Sequence, residues 1–223
     1  MSVHDQHIAI VDRPADYMDI EGLRILAPSG VYHPHEWSST RFLLSALPDV
    51  RGMDVLEIGG GSGVLALAIK QRGANKVVAT DISGKACTVM ECNALLNHLE
   101  IDVRRGDLFA PLLTGERFDL VIFNLPLMDK PAASPSETAL CDPSGELLRR
   151  YLHGLPLAVK TGGAALFTHA TISAPLPVGF TGNIRVLAEM LRDDSEIFRV
   201  LWWTPAERET PAEGETPAEG EKP

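Results

Sequence analysis

Short apolar runs alternate with amphipathic stretches along most of the chain. The apolar runs are rich in Val, Ile, Leu and Phe and end in glycine or a polar residue, which is typical of buried strands. The stretches between them carry apolar residues at helical spacing. This pattern predicts strands at Asp54–Ile58, Lys76–Thr80, Ile101–Arg105, Phe118–Asn124, Ala164–His169 and Glu196–Trp203. It predicts helices at Glu36–Leu47, Val64–Arg72, Gly84–Leu99, Ser144–Val159 and Ile184–Arg192.

The regular alternation of strand and helix predicts an α/β fold. We expect a doubly wound, mainly parallel sheet with helices on both faces. Ahead of the first core strand, Glu21 to Tyr32 predicts a hairpin of two short strands around Ala27-Pro-Ser-Gly30, because Pro and Gly supply turn geometry. Farther along, Asp142 is a predicted helix N-cap, with Pro143 at the first helical position.

The composition divides the chain into three parts. We predict an N-terminal extension at 1–21 and a single domain at 22–203. Within that domain, 22–50 holds the hairpin and the lead-in helix, and 51–203 holds the core. The remainder, 204–223, is a six-residue repeat of the type TPAEGE with no apolar residue larger than alanine. Such a segment buries too little apolar surface to offset the conformational entropy lost on ordering, so we predict a disordered acidic tail.

The net charge of the chain is −10, and the repeat carries −4 of it. The chain before the repeat is also acidic and lacks the excess of Lys and Arg that is typical of nucleic-acid-binding proteins. We therefore expect a small-molecule or peptide substrate rather than a nucleic acid. No apolar run approaches the roughly 18–20 residues of a membrane span, and the N-terminus has no signal-peptide core. We therefore expect a cytoplasmic protein that does not contact membranes. The sequence leaves its oligomeric state open.

Cysteine usage favours a reducing compartment. The chain has three cysteines, Cys87, Cys92 and Cys141. An odd number without C-x-x-C spacing indicates reduced thiols and no zinc site. We therefore expect no metal.

A glycine motif carries the strongest chemical signal. The strand Asp54–Ile58 holds Glu57 and is followed by Gly59, Gly61 and Gly63 before a helix begins. Strand, glycine turn and helix bring a nucleotide-type ligand against backbone amides. A G-x-G-x-x-G motif would need glycine at position 64, which is valine, so a pyrophosphate cofactor such as NAD is disfavoured. A ribose-containing ligand without pyrophosphate fits better, and S-adenosylmethionine is the common one.

Polar residues follow the next three strands as well. Asp81 ends the second strand, 22 residues after Gly59, a spacing that suits a clamp on the two ribose hydroxyls. Ile82 can pack on adenine, and Asp107, beside Leu108, can accept from the adenine amino group. Asn124 ends the fourth strand, where the methyl group would meet its acceptor. Open parallel sheets bind ligands at this edge, so the sequence predicts a cofactor site there.

With these motifs the chain resembles class I S-adenosylmethionine-dependent methyltransferases, and within them the HemK-type branch, the glutamine methyltransferases of translation release factors. The lead-in Val31-Tyr-His-Pro34-His-Glu36 resembles the V-Y-x-P-x-E motif of that branch. Phe118–Asn124 resembles the strand before its N-P-P-Y motif, and Ala139–Gly145 resembles its glycine-rich loop. The resemblance implies a Rossmann-like fold, S-adenosylmethionine as cofactor and S-adenosylhomocysteine as product. It also adds Tyr32, Glu57 and Leu108 to the cofactor site.

The same resemblance implies how an acceptor nitrogen is held. The Asn124 side-chain oxygen and the Leu125 carbonyl would accept hydrogen bonds from an NH2 group, and Pro126 biases Leu125 towards the extended conformation that aims its carbonyl. The motif departs from N-P-P-Y, because Leu127 replaces the aromatic residue and offers no flat face. The lead-in also departs, since Trp37-Ser-Ser-Thr40 replaces a D-T pair.

Three functional alternatives follow. N-methylation of an amine, amide or guanidine in a small molecule or peptide side chain is the leading hypothesis. O- or C-methylation would need a base near working pH, for which His33 and His35, beside Glu36, are the clustered candidates. A non-catalytic subunit that keeps the fold is the third alternative.

Overall fold

The computed structural model describes residues 16–35, 38–192 and 195–206. The strands are β1 Asp16–Ile20, β2 Leu23–Ala27, β3 Asp54–Ile58, β4 Lys76–Asp81, β5 Asp102–Arg105, β6 Phe118–Phe123, β7 Val159–Ala170, β8 Asn183–Arg192 and β9 Glu196–Thr204. An antiparallel hairpin of β1 and β2 precedes a seven-stranded sheet with the order β5-β4-β3-β6-β7-β9-β8. Pairing is parallel from β5 to β7, and β9 runs antiparallel to both of its neighbours.

The helices are α1 Ser39–Ser45, α2 Val64–Gln71, α3 Gly84–Leu96 and α4 Glu146–Ala158, with short 3-10 turns at Pro135–Ala139 and Pro143–Gly145. Ser83 caps α3, because its hydroxyl accepts from the amide of Ala86 at 3.3 Å. The helices α2 and α3 begin at their predicted residues, whereas α1 begins three residues later than predicted and α4 two residues later. Within the described residues, no helix has the length and apolarity needed to cross a bilayer.

Two apolar layers pack against the sheet, one on each face. Side chains of α2 and α3 form one layer. Tyr151 and Leu155 of α4 form the other together with Trp203 of β9, and all three are fully buried. Helices on both faces bury both sides of the central strands, which explains their continuous apolar runs. The predicted doubly wound, mainly parallel fold is confirmed, and its order reverses between β3 and β6.

The predicted helix at Ile184–Arg192 is wrong, because these residues form β8. The segment is rich in Leu, Ala, Glu and Met, which favour helices in isolation. In the fold it pairs along its whole length with β9, from Asn183 opposite Thr204 to Arg192 opposite Glu196. Pairing with a formed strand outweighs local propensity, which is a weak prior.

The predicted hairpin is displaced. Its strands are β1 and β2, joined at Glu21 and Gly22, rather than two strands around residues 27–30. Both turn residues have positive φ, 53° and 78°, as tight two-residue hairpin turns require. The proposed boundary between 21 and 22 therefore cuts through the hairpin. Most of the extension and the repeat from 207 onward lie outside the described residues, so the prediction of a disordered tail stays a prediction.

The N-terminus of α4 offers a test of stability. The helix begins at Glu146, later than predicted, yet the Asp142 carboxylate still accepts from the amides of Leu147 at 2.8 Å and Leu148 at 3.0 Å. We expect Asp142→Ala to lower the free energy of unfolding by about 1–2 kcal/mol, the usual cost of losing a cap. Urea unfolding measures the change. An Asp142→Asn variant, which keeps one acceptor, should lose less, and equal losses would contradict the capping role.

Candidate cofactor and acceptor site

A cavity of about 550 Å³ opens at the carboxyl ends of β3, β4, β5 and β6. Its volume lies within the range of small-molecule sites, and it sits where the strand order reverses. Most predicted site residues meet in its lining: Tyr32, Gly59, Gly61, Asp81, Ile82, Asp107, Leu108, Asn124, Leu125 and Pro126. The fold thus brings together residues up to 94 positions apart, from Tyr32 to Pro126.

The glycine loop leaves no room for side chains. Gly59 has φ 66°, and a Cβ there would lie 2.9 Å from the Phe123 ring. Gly61 has φ 55°, and its Cβ would meet the Tyr32 carbonyl at 3.0 Å. The Tyr32 carbonyl also accepts from the amide of Ser62 at 3.1 Å. Hence Tyr32 helps to fix the loop through its backbone, and the glycines let the chain approach a ligand.

Two predicted cofactor residues lie beneath the loop rather than at the cavity wall. Gly63 is the N-cap of α2 and packs on Met90. Glu57 is buried, and its carboxylate accepts from the amide of Ala66 at 2.8 Å. Burial raises the pKa of Glu57 to about 8, and the nearby Asp81 carboxylate adds to the rise. In this geometry Glu57 supports the loop from below.

Asp81 is held by the loops on both sides of it. Its carboxylate accepts from the amide of Gly61 at 3.0 Å and from that of Ser83 at 2.8 Å. Burial raises the pKa of Asp81, and the two amide hydrogen bonds act in the opposite direction. A carboxylate has about four lone-pair sites, so acceptor capacity remains for a ribose diol. Ile82 beside it is 65% exposed at the cavity edge, where an adenine could cover it.

Replacing Asp81 tests the ribose clamp. In Asp81→Asn the side-chain NH2 would face backbone N–H donors or a ribose hydroxyl, so at least one hydrogen bond is lost. We expect the dissociation constant for S-adenosylhomocysteine to rise about 10-fold to 100-fold, as losing a bond to a charged acceptor predicts. Titration calorimetry measures it. The exposed Asp49→Asn is the matched control, and an unchanged affinity in Asp81→Asn would rule the clamp out.

Asp107 has a partner that the sequence did not reveal. The Arg150 guanidinium, on α4, donates to the Asp107 carboxylate, and both side chains line the cavity. Leu108 is buried, and its carbonyl accepts from the Thr80 hydroxyl at 3.4 Å. The ion pair uses one carboxylate oxygen of Asp107, so the other is available to an adenine amino group.

Asn124 is fixed by two threonines that the sequence did not single out. Its side-chain nitrogen donates to the Thr40 hydroxyl at 3.0 Å, and its oxygen accepts from the Thr168 hydroxyl at 3.1 Å. Thr40 ends the altered lead-in, which is the one signal that could have drawn attention to it. Thr168, near the end of β7, carried none.

The far wall of the cavity is mostly apolar. It extends beyond Asn124 through Leu127, Met128, Leu140, Cys141, Ile172 and Phe198. Among the described lining residues, Asp81 and Asp107 carry carboxylates. Asp81 ends β4 and Asp107 follows β5, so both lie at the same end of the cavity. No group of three His, Cys, Asp or Glu residues in the described ranges could hold a metal ion. The cavity therefore combines a polar end, beside β4 and β5, with an apolar end beyond Asn124.

The two histidines predicted as bases do not reach this cavity. His33 is buried, and its Nδ1 lies 3.0 Å from the Val31 carbonyl. Neither His33 nor His35 is among the lining residues. Glu36 lies outside the described residues.

Known methyltransferases resemble this chain in sequence. The family model described as the methyltransferase small domain matches residues 22–148. A protein of Methanocaldococcus jannaschii, named as a protein N5-glutamine methyltransferase, is 33% identical over 180 residues, covering 75% of this chain and 89% of that protein. The ribosomal protein L11 methyltransferase of Caldicellulosiruptor saccharolyticus is 46% identical over 74 residues. That match covers 33% of this chain and only 24% of the relative.

Solved structures share the fold. A 16S rRNA N2 methyltransferase from T. thermophilus, in complex with AdoMet and guanosine, superposes with a TM-score of 0.67 at 20% identity, covering 86% of this chain and 50% of that one. The L11 methylase from Lactobacillus delbrueckii subsp. bulgaricus gives 0.56 at 22% identity, covering 83% and 89%. Because one neighbour acts on ribosomal RNA, the expectation that excludes nucleic acid as a substrate has no support here.

Proposed function

The chain belongs to the methyltransferase small domain family and is an S-adenosylmethionine-dependent methyltransferase, and we propose that its acceptor is the uncharged primary nitrogen of a carboxamide. The observation that carries this proposal is that Asn124 and Leu125, which offer a side-chain and a backbone oxygen as acceptors, both line the cavity. A carboxamide NH2 offers two N–H donors to match them. A peptide glutamine is the simplest such group.

The walls favour a neutral acceptor over a cationic one. A lysine ammonium would lie among Leu127, Met128 and Phe198, and the described lining places no carboxylate beside them. Burying an unpaired charge costs several kcal/mol or shifts its pKa instead. The sulfonium of the cofactor would add like-charge repulsion. The curated relative named as a glutamine methyltransferase also supports an amide acceptor.

The residues of the cavity can perform the positioning that methyl transfer needs. When bound, the cofactor supplies a methyl group on an activated sulfonium. Gly59, Gly61, Asp81 and Asp107 would hold its nucleoside. Asn124 and Leu125 orient the nitrogen for in-line attack, so that an N–C bond forms as the S–C bond breaks and the nitrogen's proton passes to water. Correct orientation supplies most of the acceleration in such reactions.

The test is transfer of a labelled methyl group into separate acceptor pools. Blocked glutamine and lysine peptides, RNA and small metabolites are each incubated with methyl-labelled cofactor, and products are identified by mass. We expect label on a carboxamide nitrogen. Label on lysine, on a nucleobase or on oxygen would refute the amide proposal. A thermal shift with S-adenosylhomocysteine but not NAD accompanied by no label in any pool would favour a non-catalytic role.

A further inference from the structure

The side chain of Asn124 is enclosed by hydrogen bonds to two buried hydroxyls. Thr40 on α1 is 4% exposed, and Thr168 on β7 is 2% exposed. Thr40 accepts from the side-chain nitrogen, and Thr168 donates to the side-chain oxygen. These contacts join three elements that are far apart in sequence at the point where the acceptor would bind.

Thr168 also reaches the second acceptor of the pair. Its hydroxyl lies 3.5 Å from the Leu125 carbonyl and 3.1 Å from the Asn124 oxygen. One hydroxyl proton therefore lies between the two oxygens that would bind the acceptor NH2. Each carbonyl oxygen has two lone pairs, so contact with Thr168 leaves one on each for an incoming N–H.

The orientation of the asparagine amide matters for this recognition. Its oxygen and nitrogen ends have nearly the same shape, so packing alone does not decide which end faces which neighbour. A rotated amide would replace an acceptor by a donor and repel the N–H groups of the acceptor. A hydroxyl can donate or accept, so the two buried hydrogen bonds fix the position and the plane of the amide, and the N–H groups of the acceptor then select the end that faces them.

We propose that Thr40 and Thr168 are positioning residues that lock the Asn124 amide in the position and plane from which its oxygen can accept a primary nitrogen. The inference rests on the proposed function, which supplies the acceptor group. Neither threonine is among the residues lining the cavity, so both act through Asn124. Their loss should therefore change turnover and leave cofactor binding nearly intact.

Thr168→Val tests the lock, because valine keeps the shape of threonine and removes the hydroxyl. We expect kcat to fall about 10-fold to 100-fold, the scale of a misplaced reactant, while the dissociation constant for S-adenosylhomocysteine stays within about 2-fold. Thr168→Ser, which restores the hydroxyl, should recover most of the rate. Thr40→Val should resemble Thr168→Val. The exposed Thr88→Val, on α3, is the matched control.

A second readout does not depend on the acceptor. The chain has five asparagines, so the side-chain amide signals of 15N-asparagine-labelled protein can be assigned by substitution. With S-adenosylhomocysteine bound, we expect Thr168→Val to shift the Asn124 side-chain signals and leave those of Asn93 unchanged. Thr168→Ser and Thr88→Val should leave Asn124 unchanged.

The outcomes separate this inference from the proposed function. Unmoved Asn124 signals in Thr168→Val, or a kcat within about 2-fold of wild type in a labelled acceptor pool, would overturn the lock. Equal loss of cofactor binding and turnover would show a structural role instead. If wild type labels no carboxamide, the proposed function fails, and the spectra still decide whether Thr168 holds Asn124.

Discussion

Replacing Asn124 by alanine is expected to lower kcat about 100-fold to 1,000-fold, the range seen when one preorganised hydrogen-bonding group is lost from an active site. The variant removes the oxygen that would accept one N–H of the acceptor, so the nitrogen is no longer held in line. S-adenosylhomocysteine should still bind, because in the proposed site Asp81 and the glycine loop would hold the nucleoside. Single-turnover methyl transfer and calorimetry with S-adenosylhomocysteine together make the measurement.

The exposed Asn183 on β8 provides the control for this experiment. Asn183→Ala should keep both turnover and cofactor affinity, since its side chain lies away from the cavity. Equal loss of turnover and of cofactor binding in Asn124→Ala would indicate a collapsed cavity. Full turnover in Asn124→Ala would remove the basis for nitrogen orientation.

Replacing Glu57 by glutamine is expected to stabilise the protein, and increasingly so as the pH rises from 5 to 8. The Glu57 carboxyl has a pKa of about 8 in the fold, against 4.5 for a glutamate free in water. The folded state therefore holds a proton that the unfolded chain has released, and the stability of the wild type falls as the pH rises from about 4.5 through 8. A glutamine side chain does not titrate, so the stability of Glu57→Gln does not fall in this way. At pH 8 we expect the free energy of unfolding of Glu57→Gln to exceed that of the wild type by about 2–3 kcal/mol. This range is set below the full product of the pKa shift and 1.36 kcal/mol per pKa unit.

Urea unfolding at several pH values measures this difference between Glu57→Gln and wild type. Glutamine can still accept from the Ala66 amide, so the loop contact is preserved. Glu91→Gln on the exposed side of α3 is the matched control and should show no comparable gain. A stability difference that stays constant from pH 5 to pH 8 would contradict the raised pKa of Glu57.

The meeting of the glycine loop and Asp81 at one end of the cavity was predictable because the sequence signals for it are local. Glycines at 59 and 61 follow an apolar strand, and Asp81 ends the next one. Parallel strands place their carboxyl ends at one edge of the sheet, so sequence order translates directly into proximity. The same reasoning placed Asn124 at the switch point, where the structure has it.

The partners of these residues were not predictable. Thr40 and Thr168 meet Asn124 across 84 and 44 positions of sequence. Arg150 reaches Asp107 across 43. Threonine on an apolar strand and arginine on a helix surface are common, and neither carries a local pattern that identifies its contact. Long-range side-chain pairs arise only when the elements pack.

The helix predicted at residues 184–192 failed for a related reason. Its composition favours a helix, but β9 presents an unpaired edge beside it, and backbone hydrogen bonds to that edge decide the outcome. The displaced hairpin is a second example, since both Glu21-Gly22 and Pro28–Gly30 contain residues that favour turns. Only the packed structure selects between them.

The sequence by itself determined the alternation of strands and helices, the glycine loop and the acidic and amide residues at the strand ends, because each depends on neighbours within a few positions. The tertiary structure decided which edge strand completes the sheet, which side chains hold Asp107 and Asn124, and that Glu57 lies beneath the loop while the two histidines lie away from the cavity. Those outcomes depend on burial and on contacts between distant segments, and such contacts form only in the folded chain.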